Sequence, residues 1–158
     1  MREILFRGKD TETGTWLYGG YIHLHRTTYC CTTDYENDKN NDIHQIVYER
    51  MTDWGLPNNH LRTDVIPATV GQYTGLTDKN GKKIFEGDIV DVIIYPTDGE
   101  SEETHKRGVV VWDAEDCAFE IEHKDGTDGF WWYTPSSDIE VVGNIHDNPG
   151  LMEQGENT

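Results

Sequence analysis

Short runs of alternating apolar and polar residues, separated by turns rich in Gly, Asp and Asn, make up most of this chain. Nowhere does the i, i+3, i+4, i+7 apolar spacing of an amphipathic helix persist over a helix-length window. Residues 3–8 and 16–23 alternate most clearly and are separated by a turn-forming connector, which predicts a β hairpin near the N-terminus. Residues 43–49 predict a weaker strand, and residues 50–62 predict a turn region.

The second half of the chain has a clearer β pattern. Apolar runs follow one another at a spacing of about ten residues, which predicts a small closed barrel. The predicted strands are residues 89–95, 107–112, 117–122, 130–134 and 139–143. Both faces of the first of these strands are apolar, so we expect it to be covered on both faces. Trp112 and Phe119 lie on adjacent predicted strands, and we expect them to pack together in the core.

The composition favours a β protein, and the net charge disfavours some classes of binding partner. Ile and Val, 22 residues together, outnumber Leu, Ala and Met, 13 together, which favours strands over helices. The formal net charge of −17 disfavours autonomous binding to nucleic-acid phosphates or to anionic membrane surfaces. There is no transmembrane-length apolar run and no signal-peptide core, so we expect a cytoplasmic protein. Cys30, Cys31 and Cys117 are therefore expected to be thiols.

Four segments of the sequence match one known family. They read MREILFRGKDTETGTWLYGGYI at the N-terminus, VGQYTGLTDKNGKKIFEGDIV in the centre, RGVVVWD in a later strand and IEVVGNIHDNPGLM near the end. In these segments the chain resembles the YopX family of phage and prophage proteins. The resemblance implies an SH3-like barrel in the C-terminal half, built around the EGDIV strand, and a mobile element of a bacterial host as the source. It implies no activity, cofactor or catalytic residue.

We therefore expect a mostly β protein with two parts. Residues 1–66 form an N-terminal β hairpin region with a variable insert, because residues 24–64 fall outside the resemblance. Residues 67–158 form the C-terminal SH3-like barrel with a C-terminal tail. Most of the excess negative charge is in this second part, since residues 76–158 contain 6 basic and 20 acidic residues.

Histidines and cysteines in the first half are candidate metal ligands. His23 and His25 are two residues apart and share one face of a predicted strand, and Cys30, Cys31, His44 and His60 follow. No C-x₂₋₄-C turn gathers four ligands, so the pattern favours scattered polar side chains and predicts no metal site. We accordingly expect a chelator to leave the melting temperature unchanged.

Alternating acidic and amide residues between positions 34 and 42 are similar to a calcium-binding loop. Lys39 stands where such a loop requires Gly, and Gln45 stands where it requires a bidentate Glu. This segment is therefore expected to be a solvated loop without calcium.

Motifs for nucleophilic catalysis, phosphate binding and metalloprotease chemistry are absent from the sequence. The acidic residue with the best-defined local setting is Asp88, which follows Gly87 at the start of a predicted strand. Asp commonly caps backbone N–H groups at such a position, so Gly87 and Asp88 are expected to form a structural motif. We expect neither enzyme activity nor a cofactor.

The aromatic run FWWYT is the most unusual local feature of the sequence. If it is a strand, Trp131 and Tyr133 share one face, which either packs against a neighbouring element or forms a ligand platform. A preceding acidic loop adds Glu100, Glu102 and Glu103. These five residues form the candidate binding surface.

From these features we expect a non-enzymatic phage or prophage accessory protein that binds another protein or a second copy of itself. The net charge makes direct nucleic-acid binding and membrane association unexpected. Apolar surface near Trp131 and Tyr133 would have to drive self-association into an oligomer, since like charges oppose it. Two alternatives remain open: an acidic DNA mimic that inhibits a basic nucleic-acid-binding protein, and a metal-dependent enzyme.

Overall fold

The computed structural model describes residues 2–28, 30–31, 38, 41–95 and 104–152 of the chain. These residues are mostly β and form two antiparallel sheets. The first sheet has the order β4-β3-β2-β1-β5-β6, with β1 (Phe6–Lys9), β2 (Trp16–His25), β3 (Asp42–Arg50), β4 (Asn59–Asp64), β5 (Gly71–Thr77) and β6 (Lys83–Phe85). The second has the order β10-β9-β8-β7-β11, with β7 (Asp88–Ile94), β8 (Thr104–Asp113), β9 (Ala118–His123), β10 (Gly126–Gly129) and β11 (Ile139–Asn144). No helix in the described ranges is long and apolar enough to cross a membrane.

By its internal contacts the chain divides into two compact units. One is Ile4–Gln72, and the other is Tyr73–Thr158 together with Met1–Glu3. The division falls inside β5, whose first two residues pair with β1 and whose later residues pair with β6.

The first unit is built on four strands, each paired antiparallel with the next. Its long β2–β3 pair sets His23 opposite His44 and His25 opposite Asp42. Ile46 and Val65 are buried apolar side chains of this unit. The register of β2 and β3 thus determines which polar side chains share a face.

Strand β4 corrects the expectation that residues 50–62 form only a turn region. Its residues pair in register with β3, from Asn59 opposite Arg50 to Asp64 opposite Gln45. The segment has little apolar alternation because it lies at the edge of the sheet and is largely exposed. Its backbone hydrogen bonds, rather than buried side chains, hold it in the sheet.

The second unit has its apolar core on the five-stranded sheet. The core side chains are Ile84, Val90, Val92, Val110, Phe119, Ile121, Phe130, Ile139 and Val141. As predicted, β7 begins as a strand buried on both faces, since Ile89 and Val90 are both inaccessible. Its end opens to solvent, where Tyr95 is 53% exposed.

Asp78 ties the turn after β5 to the five-stranded sheet. Its buried carboxylate accepts hydrogen bonds from the backbone N–H groups of Asn80 at 2.9 Å, Lys82 at 2.8 Å and Val141 at 3.0 Å. Gly81 completes the turn with a φ of 77°, a backbone conformation that glycine adopts without steric cost. The turn is therefore fixed by the carboxylate of Asp78.

The five-stranded sheet is open and does not form the predicted closed barrel. Strands β10 and β11 are its two edges, and no pairing between them occurs among the described residues. A bulge between Val141 and Gly143 interrupts the pairing of β11 with β7. The aromatic segment that was expected to supply a fourth strand also leaves the sheet.

Residues 130–134 are not a strand, contrary to the sequence-based expectation. Phe130–Trp132 form a 3₁₀-helix, and the strand is instead β10, in the segment expected to be a connector. A 3₁₀-helix has three residues per turn, so one bulky aromatic side chain in three faces the core. Phe130 takes that place with 8% exposure, while Trp131 and Trp132 are 65% and 72% exposed.

Trp112 and Phe119 pair across β8 and β9 as expected. Their ring centroids are 5.1 Å apart in an edge-to-face arrangement. Trp112 is nevertheless 48% exposed, so the expectation that it belongs to the core is wrong. Its neighbours Val110 and Ile121 are fully buried and supply the apolar core at this point.

Candidate functional site

The Gly87–Asp88 motif lies in the tight turn between β6 and β7. Gly87 has a φ of 79°, and the Asp88 carboxylate accepts a hydrogen bond of 2.8 Å from the Phe85 N–H. Asp88 is 1% exposed, so solvent and ligands do not reach it. The geometry gives Asp88 a role in holding the turn.

A cleft of about 410 Å³ opens at the end of β7. We call it the aromatic cleft, and its lining residues are Ile93, Ile94, Tyr95, Asp128, Trp132, Tyr133 and Asp138. The end of β7 supplies the aliphatic residues and Tyr95, whereas the 3₁₀-helix and the residues around it supply the rest. Because Phe130 anchors that helix in the core, Trp132 is left at the surface to line the cleft.

Tyr133 joins the aromatic cleft to the core of the unit. Its ring packs against the core cluster, and its hydroxyl donates a hydrogen bond of 2.8 Å to Asp128 Oδ2. Burial and the carboxylate of Asp128 raise the pKa of Tyr133 well above its ordinary value. The phenol therefore stays protonated and acts as a fixed donor.

The two carboxylates in the lining are each held by neighbouring groups. Asp138 accepts hydrogen bonds of 2.6 Å from the Thr134 N–H and of 2.6 Å from the Ser137 hydroxyl. Asp128 lies 3.5 Å from the Lys106 ammonium, in addition to its bond from Tyr133. A carboxylate offers about four lone-pair directions, so both retain capacity for a cationic ligand.

A second cavity, of about 400 Å³, shares Ile94 with the aromatic cleft and includes Lys106 and Arg107 in its lining. Arg107 is already engaged, since its guanidinium bonds Asp91 at 2.6 and 3.0 Å and the carbonyl oxygen of Leu151 at 2.9 Å. Lys106 contacts Asp125 at 3.0 Å and lowers the pKa of that carboxyl. These paired cations do not form an open anion site.

The similarity of the chain to a known family extends over nearly its whole length. The YopX protein family model matches residues 5–153. The chain belongs to the YopX family. The match spans residues 24–64, which the sequence resemblance left out. No curated protein matches the chain significantly.

Among solved structures, the chain is similar to the crystal structure of protein EF1440 from Enterococcus faecalis. The two share 23% sequence identity, and the comparison covers 96% of this chain and 99% of that chain. The TM-score is 0.49.

In this YopX-family chain the predicted binding residues have different surroundings. Trp131 is exposed but does not line the aromatic cleft, whereas Tyr133 does. The two residues do not share a strand face, because the segment is a 3₁₀-helix. The predicted Glu100, Glu102 and Glu103 lie outside the described residues.

Sequence reasoning missed Trp132 as a site residue. Strand periodicity placed it with Phe130 on the face opposite the candidate binding residues Trp131 and Tyr133. A signal was nevertheless present: four large aromatic side chains in succession exceed what one short core-facing segment accommodates, so some must be exposed. The sequence could not tell which.

The YopX-family chain also brings together polar residues that the sequence analysis treated as scattered. Ligand atoms of His23, Asp42 and His44 all lie within 4.8 Å of one another on the β2–β3 pair. His25 Nδ1 lies 2.9 Å from Asp42 Oδ1, and this hydrogen bond holds the pKa of Asp42 below its ordinary value. The cross-strand register, which the sequence alone did not reveal, places these side chains together.

Proposed function

We propose that this YopX-family protein is a non-enzymatic phage or prophage accessory protein that binds a basic segment of a protein partner in the aromatic cleft. The observation that carries the proposal is the combination of exposed aromatic walls with the carboxylates of Asp128 and Asp138 in one cleft. An aromatic face attracts a Lys or Arg side chain through its quadrupole, and a nearby carboxylate adds direct charge pairing.

The charge of the surrounding chain favours the same partner. Residues 76–158 carry 6 basic and 20 acidic residues, so the unit that holds the aromatic cleft is strongly acidic. Such a field speeds the encounter with basic surfaces and weakens as salt is added. It also disfavours binding of a second, equally acidic copy, which makes a basic partner the better occupant.

The groups in the aromatic cleft support binding rather than bond-making chemistry. Tyr133 is a protonated donor, and Asp138 is held by two short hydrogen bonds. General acid–base catalysis needs a group that exchanges a proton near neutral pH. Tyr133 does not meet this need, because its raised pKa keeps the phenol protonated.

The strand arrangement supports an SH3-like fold as part of this proposal. Strands β7, β8, β9 and β10 form an antiparallel meander, and β11 returns to pair with β7. The 3₁₀-helix Phe130–Trp132 lies between the last two strands. SH3-like domains use such surface aromatic grooves for peptide recognition.

Fluorescence anisotropy with short labelled peptides tests the proposal. One peptide set is centred on Arg or Lys, and two matched sets are centred on Glu and on Leu. We expect the purified chain to prefer the basic set and to release it as salt rises. Trp132→Ala should weaken that binding by roughly tenfold, as loss of a desolvated cation–π contact implies.

Trp131→Ala is the matched control, because Trp131 is similarly exposed but lies outside the aromatic cleft. It should leave the affinity unchanged. Equal loss in both variants, or no preference for basic peptides, would contradict the proposal. Binding of a basic protein that is sensitive to salt but indifferent to Trp132→Ala would favour the DNA-mimic alternative instead.

A further inference from the structure

We propose that His23, Asp42 and His44 form a binding site for one divalent transition-metal ion of the zinc type, with His25 positioning the carboxylate. This inference departs from the expectation of no metal site, which rested on the absence of a cysteine turn. It is independent of the aromatic cleft, because all four residues belong to the Ile4–Gln72 unit.

The backbone of two paired strands holds these side chains together. His23 is opposite His44, and His25 is opposite Asp42, in one continuous antiparallel register. Residues two apart on a strand point to the same face, so the four side chains occupy adjacent positions on one face of the β2–β3 pair. A site on paired strands is more rigid than a site on a loop.

The distances are close to those that a tetrahedral metal requires. Ligands bonded to zinc at about 2.0–2.1 Å in tetrahedral geometry lie about 3.4 Å from each other. His23 Nε2 is 3.5 Å from Asp42 Oδ1, and the ligand atoms of the three residues all lie within 4.8 Å.

The rings of His23 and His44 are already aligned. Their centroids are 4.5 Å apart, with planes inclined by 13°. Tyr21 lies 2.6 Å from His44 Nδ1 through its hydroxyl, which leaves Nε2 as the nitrogen for a metal. Metal-binding histidines characteristically use their second ring nitrogen in such a hydrogen bond, which orients the ring.

His25 orients the Asp42 carboxylate in the same way, through a hydrogen bond. Its Nδ1 lies 2.9 Å from Asp42 Oδ1, so the carboxylate has one fixed orientation. The side chains of His23, His25 and Asp42 are each close to half exposed, so an ion reaches them directly from solvent. Solvent also supplies the remaining coordination position.

The donor set selects the class of ion. Two imidazole nitrogens and one carboxylate oxygen suit zinc, cobalt and nickel, whereas calcium and magnesium prefer sites made of oxygen ligands. The cluster is therefore not a candidate for the calcium binding that was considered for the neighbouring acidic residues.

Cobalt(II) absorption and zinc calorimetry on the untagged, metal-free full-length chain test the inference. We expect one equivalent of either ion to bind, and cobalt to give visible absorption bands. His23→Ala, Asp42→Asn and His44→Ala should each abolish one-to-one binding. His25→Ala should weaken it by roughly tenfold to hundredfold, the range seen when an orienting partner is lost.

Two controls separate this site from other metal ligands in the chain. His60 makes an exposed pair with Glu49 at 3.2 Å in the same unit, so His60→Ala removes a comparable histidine without touching the cluster. A Cys30→Ser and Cys31→Ser double variant removes the nearby thiols. Both should bind one equivalent with unchanged affinity.

The inference is overturned if no one-to-one binding occurs, if His60→Ala or the serine variant loses it, or if the three ligand variants retain it. Far-UV circular dichroism checks that each variant is folded. For any variant that is not, imidazole NMR resonances of the wild-type chain provide the second test. Zinc should shift those of His23 and His44 and leave that of His60 unmoved.

Discussion

Glu120 is a buried acidic residue whose negative charge is unfavourable in the folded protein. It lies on β9, opposite Val111 and Gly129, and is only 6% exposed. Burial, followed by the charges of Asp113 and Asp116, raises its pKa above the ordinary value of 4.5. The folded state therefore binds a proton at Glu120 more readily than the unfolded chain does.

Glu120→Gln is expected to raise the melting temperature at neutral pH. A raised folded-state pKa means that the stabilising contribution of Glu120 is present at low pH and is lost as the pH rises through that pKa. The amide cannot ionise, so the gain should be largest near pH 7.5 and should shrink toward pH 5. Thermal denaturation across this range measures the effect.

Glu122→Gln serves as the control, since Glu122 is exposed on the same strand. It should change the melting temperature little at either pH. A gain for Glu120→Gln that is the same at both pH values would show that desolvation of the carboxylate is not the cause.

At the scale of the element, the two adjacent glycines of β2, Gly19 and Gly20, differ in how closely the neighbouring strand approaches them. A Cβ atom at Gly19 would overlap the carbonyl oxygen of Val47 on β3, whereas one at Gly20 would lie 4.0 Å from that oxygen. Glycine in a strand interior often marks such a close approach of two backbones. Gly19 therefore has no room for a Cβ atom, whereas Gly20 does.

Gly19→Ala should therefore destabilise the chain by about 1–3 kcal/mol or more, because the obstructing atom is backbone and cannot rotate away. Gly20→Ala should be close to neutral. Urea denaturation of the two variants compares the same substitution at neighbouring residues. Equal effects would mean that strand propensity, not the contact with Val47, determines the outcome.

The aromatic segment is a second case in which the element differs from its local pattern. A run of large aromatic residues favours a strand by propensity. The 3₁₀-helix forms instead because Phe130 alone fits the core, and its carbonyl accepts a hydrogen bond from Tyr133 N–H at 3.1 Å. Tertiary packing outweighs propensity at this position, and it exposes the tryptophan of the aromatic cleft.

At the scale of the whole molecule, the net charge of −17 limits the partners. We expect no measurable binding to duplex DNA in a gel-shift assay at physiological salt, because DNA phosphates carry charge of the same sign. A basic protein mixed under the same conditions is the positive control for charge-driven association. Tight DNA binding by the chain alone would contradict this account.

The sequence by itself determined the properties that depend on local pattern and composition. Alternation and β-branched residues predicted a mostly β chain, and four segments that resemble the YopX family were sufficient to indicate it. The turn at Asn80 and Gly81 is of the same local kind, since an Asn-Gly pair suits the positive φ that this turn needs at glycine. Each of these properties is set by neighbours in the chain.

Only the tertiary structure decided the properties that depend on contacts between distant residues. These include the open five-stranded sheet, the edge strand β4, and the exposure of Trp112 and Trp132. The same holds for the cluster of His23 and His44, which are 21 residues apart in sequence and adjacent across two strands. The strand register decides which residues lie opposite each other, because a shift by one residue would turn every side chain to the other face. The volume of the core decides which aromatic side chains are buried, because a close-packed core has room for only some of them.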